Sequence, residues 1–313
     1  MEQLKSIHLP IELVLNIITC SLPKPNVLIA PSHPITQLLL SFTFVCKETR
    51  RLSHRYLLEY CMYFSHPSRL ESYIREAKTR PELRNISALL LAPFRGQTDG
   101  FSIVISIQGL LTYTSTTLKR LIIDIPLRLF ALDEDDGVIL AIFREGLARL
   151  ANLEEFVSVR DDLTLDSIED EPAFWAQWKR LKRLAIYNVH IDARFWKDVT
   201  TMPQIKTIVL TRADGLEQSN FKREYFKHGH GPLKVLLCNV DESQIRFTQM
   251  LRAGWDTVDP EKKMTIMTYT IPLPFQDDNV VETCQEYVRI GAENGTLWDW
   301  EGEIIQHRPK PYP

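Results

Sequence analysis

Apolar residues in this chain change their spacing as it proceeds. Near the start, "HLPIELVLNIITCSLP" (residues 8–23) carries them at helical intervals. If Pro10 opens a helix and each residue turns about 100°, Ile11, Val14, Leu15, Ile18 and Leu22 form one stripe. Leu13 and Ile17 widen it to an arc of roughly 200°, where packing on a single core needs little more than 100°. Glu12, Asn16 and Thr19 are the polar remainder. The arc therefore offers more apolar surface than one core would cover.

Prolines at 23, 25, 31 and 34 then predict a semi-extended loop over residues 22–34. Helical spacing resumes from about Ile35 to Phe64, with a break near Val45 and Cys46. Within it Leu52, Tyr56, Tyr60 and Tyr63 share a face, and Lys47, Arg50, Arg51, His54 and Arg55 crowd the first turns. Another helix is expected from Ser68 to Thr79, so that residues 63–84 read as a helical linker.

From about residue 85 short β-like runs alternate with helical stretches. Five of them open alike: "LKRLIID" from Leu118, "LEEFVSV" from Leu153, "LKRLAIY" from Leu181, "IKTIVL" from Ile205 and "LKVLLC" from Leu233. Their starts lie 35, 28, 24 and 28 residues apart, and "NISALLL" from Asn85 and "MTIMTYT" from Met264 extend the series. Helices are expected between them, near 101–116, 137–151, 173–180, 193–202, 220–227 and 243–255, with a last one near 280–294. Such a unit cannot bury its apolar face alone, so neighbours stack into a continuous core.

The expected fold class is thus α/β: an N-terminal three-helix module over 1–62, then an irregular βα solenoid with a parallel sheet over 85–300, then a tail over 301–313. The alternative is a doubly wound sheet. The shared strand opening favours the solenoid, as does the absence of any GxGxxG or GxxxxGK[ST] phosphate loop in a chain with only 12 glycines.

Alternation along each strand sends Arg120, Ile122 and Asp124 to the open face of that sheet. Glu155, Val157, Arg183, Ala185, Tyr187, Thr207, Val209, Val235 and Leu237 follow by the same rule. Repeat proteins commonly bind partners there, which makes Arg120, Asp124, Glu155, Arg183, Tyr187 and Thr207 candidate contacts for a protein substrate. The competing reading covers the apolar positions of this face with loops.

Composition narrows the partners. The 37 Lys and Arg against 40 Asp and Glu give a net charge of −3, without the basic excess of a duplex-binding protein. Five widely spaced cysteines suggest buried thiols in a reducing compartment, and no signal-peptide or membrane-spanning pattern is read, so a cytoplasmic or nuclear location is expected. No catalytic motif is found and no enzyme activity or cofactor is expected. His228 and His230 form an HxH best read as a solvated loop, and "DEDD" at 133–136 lacks the ligand spacing of a calcium loop. Trp298 and Trp300 are expected to seal the open end of the solenoid, and "RPKPYP" to be a frayed end.

"LPIELVLNII", followed after the Pro-rich loop by "LLLSFTFVCKETRRL", resembles the F-box. Leu9, Pro10, Glu12, Leu13, Ile17 and Ile18 match the first half of that pattern. Leu39, Leu40, Val45, Cys46, Lys47, Arg50, Arg51 and Leu52 match the second, while Thr49 stands where many members carry Trp. With the repeats behind it, the chain is similar to fungal-type F-box proteins with degenerate leucine-rich repeats. The resemblance implies docking to a Skp-family adaptor, and through it a cullin ubiquitin ligase, by way of Leu9, Pro10, Leu13, Ile17, Ile18, Leu39, Val45 and Cys46. The remainder of the chain would select the protein to be ubiquitinated.

Overall fold

Helical segments and strands follow from local signals before any packing is considered. The computed structural model describes residues 9–94, 100–127, 136–161, 173–229, 231–240, 250–273 and 279–305. It opens with three helices, α1 (Ile11–Cys20), α2 (Pro34–Phe42) and α3 (Lys47–Tyr60). Pro34 starts α2 where its missing N–H is no loss. The break expected near Val45 and Cys46 is the turn before α3, where the Cys46 N–H donates to Thr49 Oγ1 at 3.1 Å. Ile18, Ile29, Leu39, Tyr56, Tyr60 and Cys61 form a small core among these helices.

The rest is mixed α/β. Nine strands, β1 (Tyr63–Phe64), β2 (Ala88–Leu91), β3 (Arg120–Ile123), β4 (Glu155–Ser158), β5 (Arg183–Tyr187), β6 (Thr207–Thr211), β7 (Leu233–Val240), β8 (Met264–Ile271) and β9 (Glu303–Ile304), form one sheet in chain order. β1 to β8 run parallel and β9 returns antiparallel to β8. The order never reverses among the described strands, so the switch point of a doubly wound sheet is missing. The intervening helices are α4 (Pro67–Thr79), α5 (Gly100–Thr114), α6 (Asp136–Ala148), α7 (Ala193–Thr200), α8 (Phe221–Phe226) and α9 (Trp255–Val258), with α10 (Val280–Glu293) between β8 and β9. Asp192, Asn220 and Asn279 cap α7, α8 and α10 by accepting bonds from first-turn N–H groups.

Three boundaries differ from the pattern reading. Residues 63–84 are no linker, because Tyr63 and Phe64 pair with Leu90 and Leu91 and Leu70 of α4 enters the main core. The helix expected at 173–180 is a single 3-10 turn, Phe174–Gln177, whose aromatic rings pack inward. The tail is tied in through β9, with Ile305 against the core. The first three residues of "DEDD", His230, most of the helix expected at 243–255 and the terminal "RPKPYP" lie outside the described residues, while Asp136 begins α6.

Two apolar layers flank the sheet. Leu121, Phe156, Leu184, Ile208, Val235 and Ile266 point one way, toward Phe143, Trp178, Trp196 and Phe221 of the helical side. Ile122, Val157, Ala185, Val209, Leu236 and Met267 point the other way, toward Cys284, Val288, Ala292, Leu297 and Trp298. Both parities of strands β2 to β7 are therefore buried or nearly so.

Phe156 is fully buried with its ring 4.8 Å from that of Trp178. Phe156→Ala is expected to lower unfolding free energy by about 3–5 kcal/mol, read from the midpoint of urea denaturation.

Candidate functional site

The sheet face expected to receive a substrate is filled by the chain's own C-terminal segment. α10 starts after Asn279, crosses the sheet and ends over β3, and Leu297 and Trp298 continue the cover. This placement removes most of the predicted contact set from solvent. Arg120, Asp124 and Tyr187 are buried, and Glu155, Arg183 and Thr207 are half-buried.

What the polar members of that set do instead is hold the cover in place. The Arg120 guanidinium donates to Asn26 O of the Pro-rich loop and to Ala292 O at the end of α10, and its Nε lies 3.4 Å from Glu155 Oε2. Burial pulls its pKa below the usual value while Glu155 opposes that change. Glu155 also takes Arg183 Nη1 at 2.6 Å and accepts from Trp298 Nε1 at 3.1 Å. Lys234 Nζ donates to Trp300 O at 2.9 Å. Asp124 pairs with Arg160.

One register detail corrects the predicted outward set. Thr207 pairs with Lys234, so β7 sits one residue out of step with the alignment of its opening. A slip of one residue exchanges the two faces of a strand. Val235 and Leu237 therefore lie on the helical side, and Leu236 and Cys238 under α10.

Trp298 and Trp300 lie across the sheet face and do not close its end. Trp300 stacks on Tyr269 with centroids 4.7 Å apart, and Gly291 makes room for it, since a Cβ there would come within 2.5 Å of the ring. Gly295 has φ of +70°, and a Cβ on it would reach 2.6 Å from Asn26 O, so the turn after α10 needs glycine both for its conformation and for its contact with the Pro-rich loop. Leu28 N donates to Glu293 O at 2.7 Å, and Arg289 donates to Tyr63 Oη at 3.1 Å while pairing with Glu286 and Glu293. The first and last parts of the chain are thereby joined. Cys238 and Cys284 are buried in this layer, and burial pushes both thiols up, Cys284 to about 12, which leaves them neutral packing groups.

The predicted adaptor set divides differently. Ile18 and Leu39 are fully buried in the three-helix core and cannot touch a partner. Cys46 is half-buried and occupied with capping α3, together with the fully buried Thr49. Leu9, Pro10, Leu13, Ile17 and Val45 are exposed, Ile17 at 53% and Val45 at 63%. Phe44, at 82%, is a further exposed ring that the pattern reading did not single out.

Leu9, Leu13 and Ile17 lie on or just before α1, and Phe44 and Val45 in the turn before α3. Leu9, Leu13 and Ile17 are four residues apart and form a line along α1. Leu15 shares a groove with Lys47, Arg51 and Arg55, and Thr19 Oγ1 lies 3.2 Å from Tyr56 Oη. α1 and α3 therefore run side by side in the same direction, which brings Phe44 and Val45, just before α3, to the end where Leu9 begins α1. Arg50 Nε holds the connecting turn by donating to Thr43 O at 2.8 Å.

Among the described residues no group of three or more His, Cys, Asp or Glu is placed to hold a metal ion, and no helix is long and apolar enough to cross a membrane. No protein-family model matches the chain, and no curated protein is significantly similar to it.

Arg120→Met is expected to cost about 2–4 kcal/mol, because the buried Ala292 carbonyl and the half-covered Asn26 carbonyl lose their donor and Glu155 loses a counter-charge. Hydrogen–deuterium exchange should show faster exchange in the last turn of α10 and at residues 26–28, with the helical side of the sheet unchanged.

Proposed function

We propose that the chain is a substrate-recognition subunit of a Skp-cullin-F-box ubiquitin ligase, docking the Skp-family adaptor through its N-terminal helices. The observation that carries this reading is the exposed apolar line of Leu9, Leu13 and Ile17, with Phe44 and Val45 at its end. An apolar patch of this kind on a folded chain marks an interaction surface. Of its residues, Leu9, Leu13, Ile17 and Val45 carry the resemblance to the F-box and Phe44 is an addition to it, whereas the matched residues Ile18 and Leu39 serve the module's own core. The sequential, mainly parallel sheet accords with a degenerate leucine-rich-repeat arrangement.

On this reading the substrate does not enter the middle of the sheet face, which α10 fills. The part of that face left to it is an open cleft of about 550 Å3 beside α10, bordered by Asp124, Val159, Arg160, Glu282 and Tyr287. Recognition would rest on noncovalent contacts, with ubiquitin transfer performed by the rest of the ligase.

A second reading makes the N-terminal helices only a cap on the sheet. The bond from Leu28 to Glu293 favours it, as does the tie of Arg120 to Asn26. It leaves Leu13, Ile17, Phe44 and Val45 without cover.

Co-purification with a Skp-family adaptor separates the two. The double variant Leu13→Asp, Ile17→Asp is expected to lose at least about tenfold in adaptor affinity while its stability changes by about 0.5 kcal/mol or less, as exposed positions do. Ile18→Asp should instead unfold the module. Absence of adaptor binding by the full chain, or equal binding by the double variant, overturns the ligase reading and leaves the cap.

A further inference from the structure

The fold gains nothing from the cations at the start of α3. Between residues 47 and 55 Lys47, Arg50, Arg51 and Arg55 stand against one carboxylate, Glu48, in a chain whose net charge is −3. Lys47, Arg51 and Arg55 are exposed and recur at every fourth residue, which makes them a row about 12 Å long on one side of the helix. Like charges at this spacing repel one another. Lys47 and Arg50 also occupy the first turn, where the partial positive charge of a helix N-terminus disfavours cations. The side chains of Lys47 and Arg51 make no hydrogen bond or ion pair among the described residues. Glu48 is engaged elsewhere, its carboxyl held below the usual range first by its own backbone N–H, then by Cys46 and last by the charge of Lys47.

Beside this row lies a groove of about 550 Å3 between α1 and α3, bordered by the half-buried Leu15 and Leu52. At about 100° per residue Leu15 is turned some 160° from both Leu13 and Ile17, so the groove and the exposed apolar line occupy opposite flanks of α1. A groove between two helices that run side by side accepts a third helix. Carboxylates four residues apart on such a helix match the spacing of the row, and its apolar side covers the two leucines. A row this short, next to apolar side chains in a chain without a basic excess, does not suit a nucleic-acid backbone.

We propose that the groove between α1 and α3 binds an acidic amphipathic helix of a partner protein, its carboxylates on Lys47, Arg51 and Arg55 and its apolar side against Leu15 and Leu52. This surface is separate from the exposed line on α1 and does not depend on which partner that line takes.

Fluorescence anisotropy with the full chain tests this, the probe being a labelled, end-blocked helical peptide of four Glu-Leu-Ala-Ala repeats. Saturable binding is expected, weakening as salt is raised. Counterparts built on Gln-Leu-Ala-Ala, on Lys-Leu-Ala-Ala and on Glu-Ala-Ala-Ala should each bind at least about tenfold more weakly. The double variant Lys47→Gln, Arg51→Gln should lose at least about tenfold in affinity for the acidic peptide while its unfolding temperature stays the same or rises, because it relieves repulsion and breaks no contact. Lys47→Glu, Arg51→Glu should reverse the preference toward the lysine peptide. The proposal is overturned by the absence of saturable binding at millimolar concentration, by equal binding of the acidic peptide and either its glutamine or its leucine-free counterpart, or by unchanged binding to the double glutamine variant. Tighter binding of single-stranded oligothymidylate or of phosphatidylserine vesicles than of the acidic peptide overturns it as well.

Discussion

A parallel sheet has to lose water on both faces, and here the chain closes the second face with its own last helix. That closure depends on Arg120. Its guanidinium sits at the start of β3 and joins three stretches that are far apart in sequence, namely the Pro-rich loop at Asn26, the end of α10 at Ala292 and the strand neighbour Glu155. A cation removed from water this fully is held by the carbonyls that take its two Nη groups and by the opposite charge of Glu155. Glu155 passes the same constraint on to Arg183 and Trp298, and Lys234 repeats it at Trp300. A row of charged side chains at the base of the strands thus acts as a clasp.

The clasp explains why the molecule divides its apolar surface unequally. On the sheet, Ile122, Val157, Ala185, Val209 and Leu236 find cover within the chain. On the N-terminal module, Leu13, Ile17, Phe44 and Val45 find none, although the core beneath them is complete around Ile18 and Leu39. Among the described residues the uncovered apolar surface is therefore on the module and not across the middle of the sheet. The Pro-rich loop connects the two regions, with Ile29 in the module's core and Leu28, one residue earlier, in the layer under α10.

Most elements could be read directly, because local periodicity and caps report on the residues that carry them. The strand openings at Leu118, Leu153, Leu181, Ile205 and Leu233 all precede strands of one sheet, and "NISALLL" and "MTIMTYT" are β2 and β8. Errors arose where a local pattern had two meanings. An apolar pair such as Tyr63 and Phe64 after a helix continues the helical spacing and also suits a two-residue edge strand, and pairing with β2 decided for the strand. A residue gained or lost before β7 is invisible in an isolated opening, yet it exchanges Val235 with Leu236.

A signal for the covered face was present. "FVSV", "RLAIY", "TIVLT" and "KVLLC" are apolar at both parities, which is how strands buried on both faces read. Periodicity alone determined that the chain alternates strands and helices and that its first helix is apolar over too wide an arc, and it left open whether the second face of the strands meets water. Which segment covers the second face was decided only in three dimensions. That choice rests on contacts such as Arg120 with Ala292 and Glu155 with Trp298, between residues more than a hundred positions apart. Hydrophobic spacing states how much surface must be buried, and because that burial is non-directional it cannot state against what.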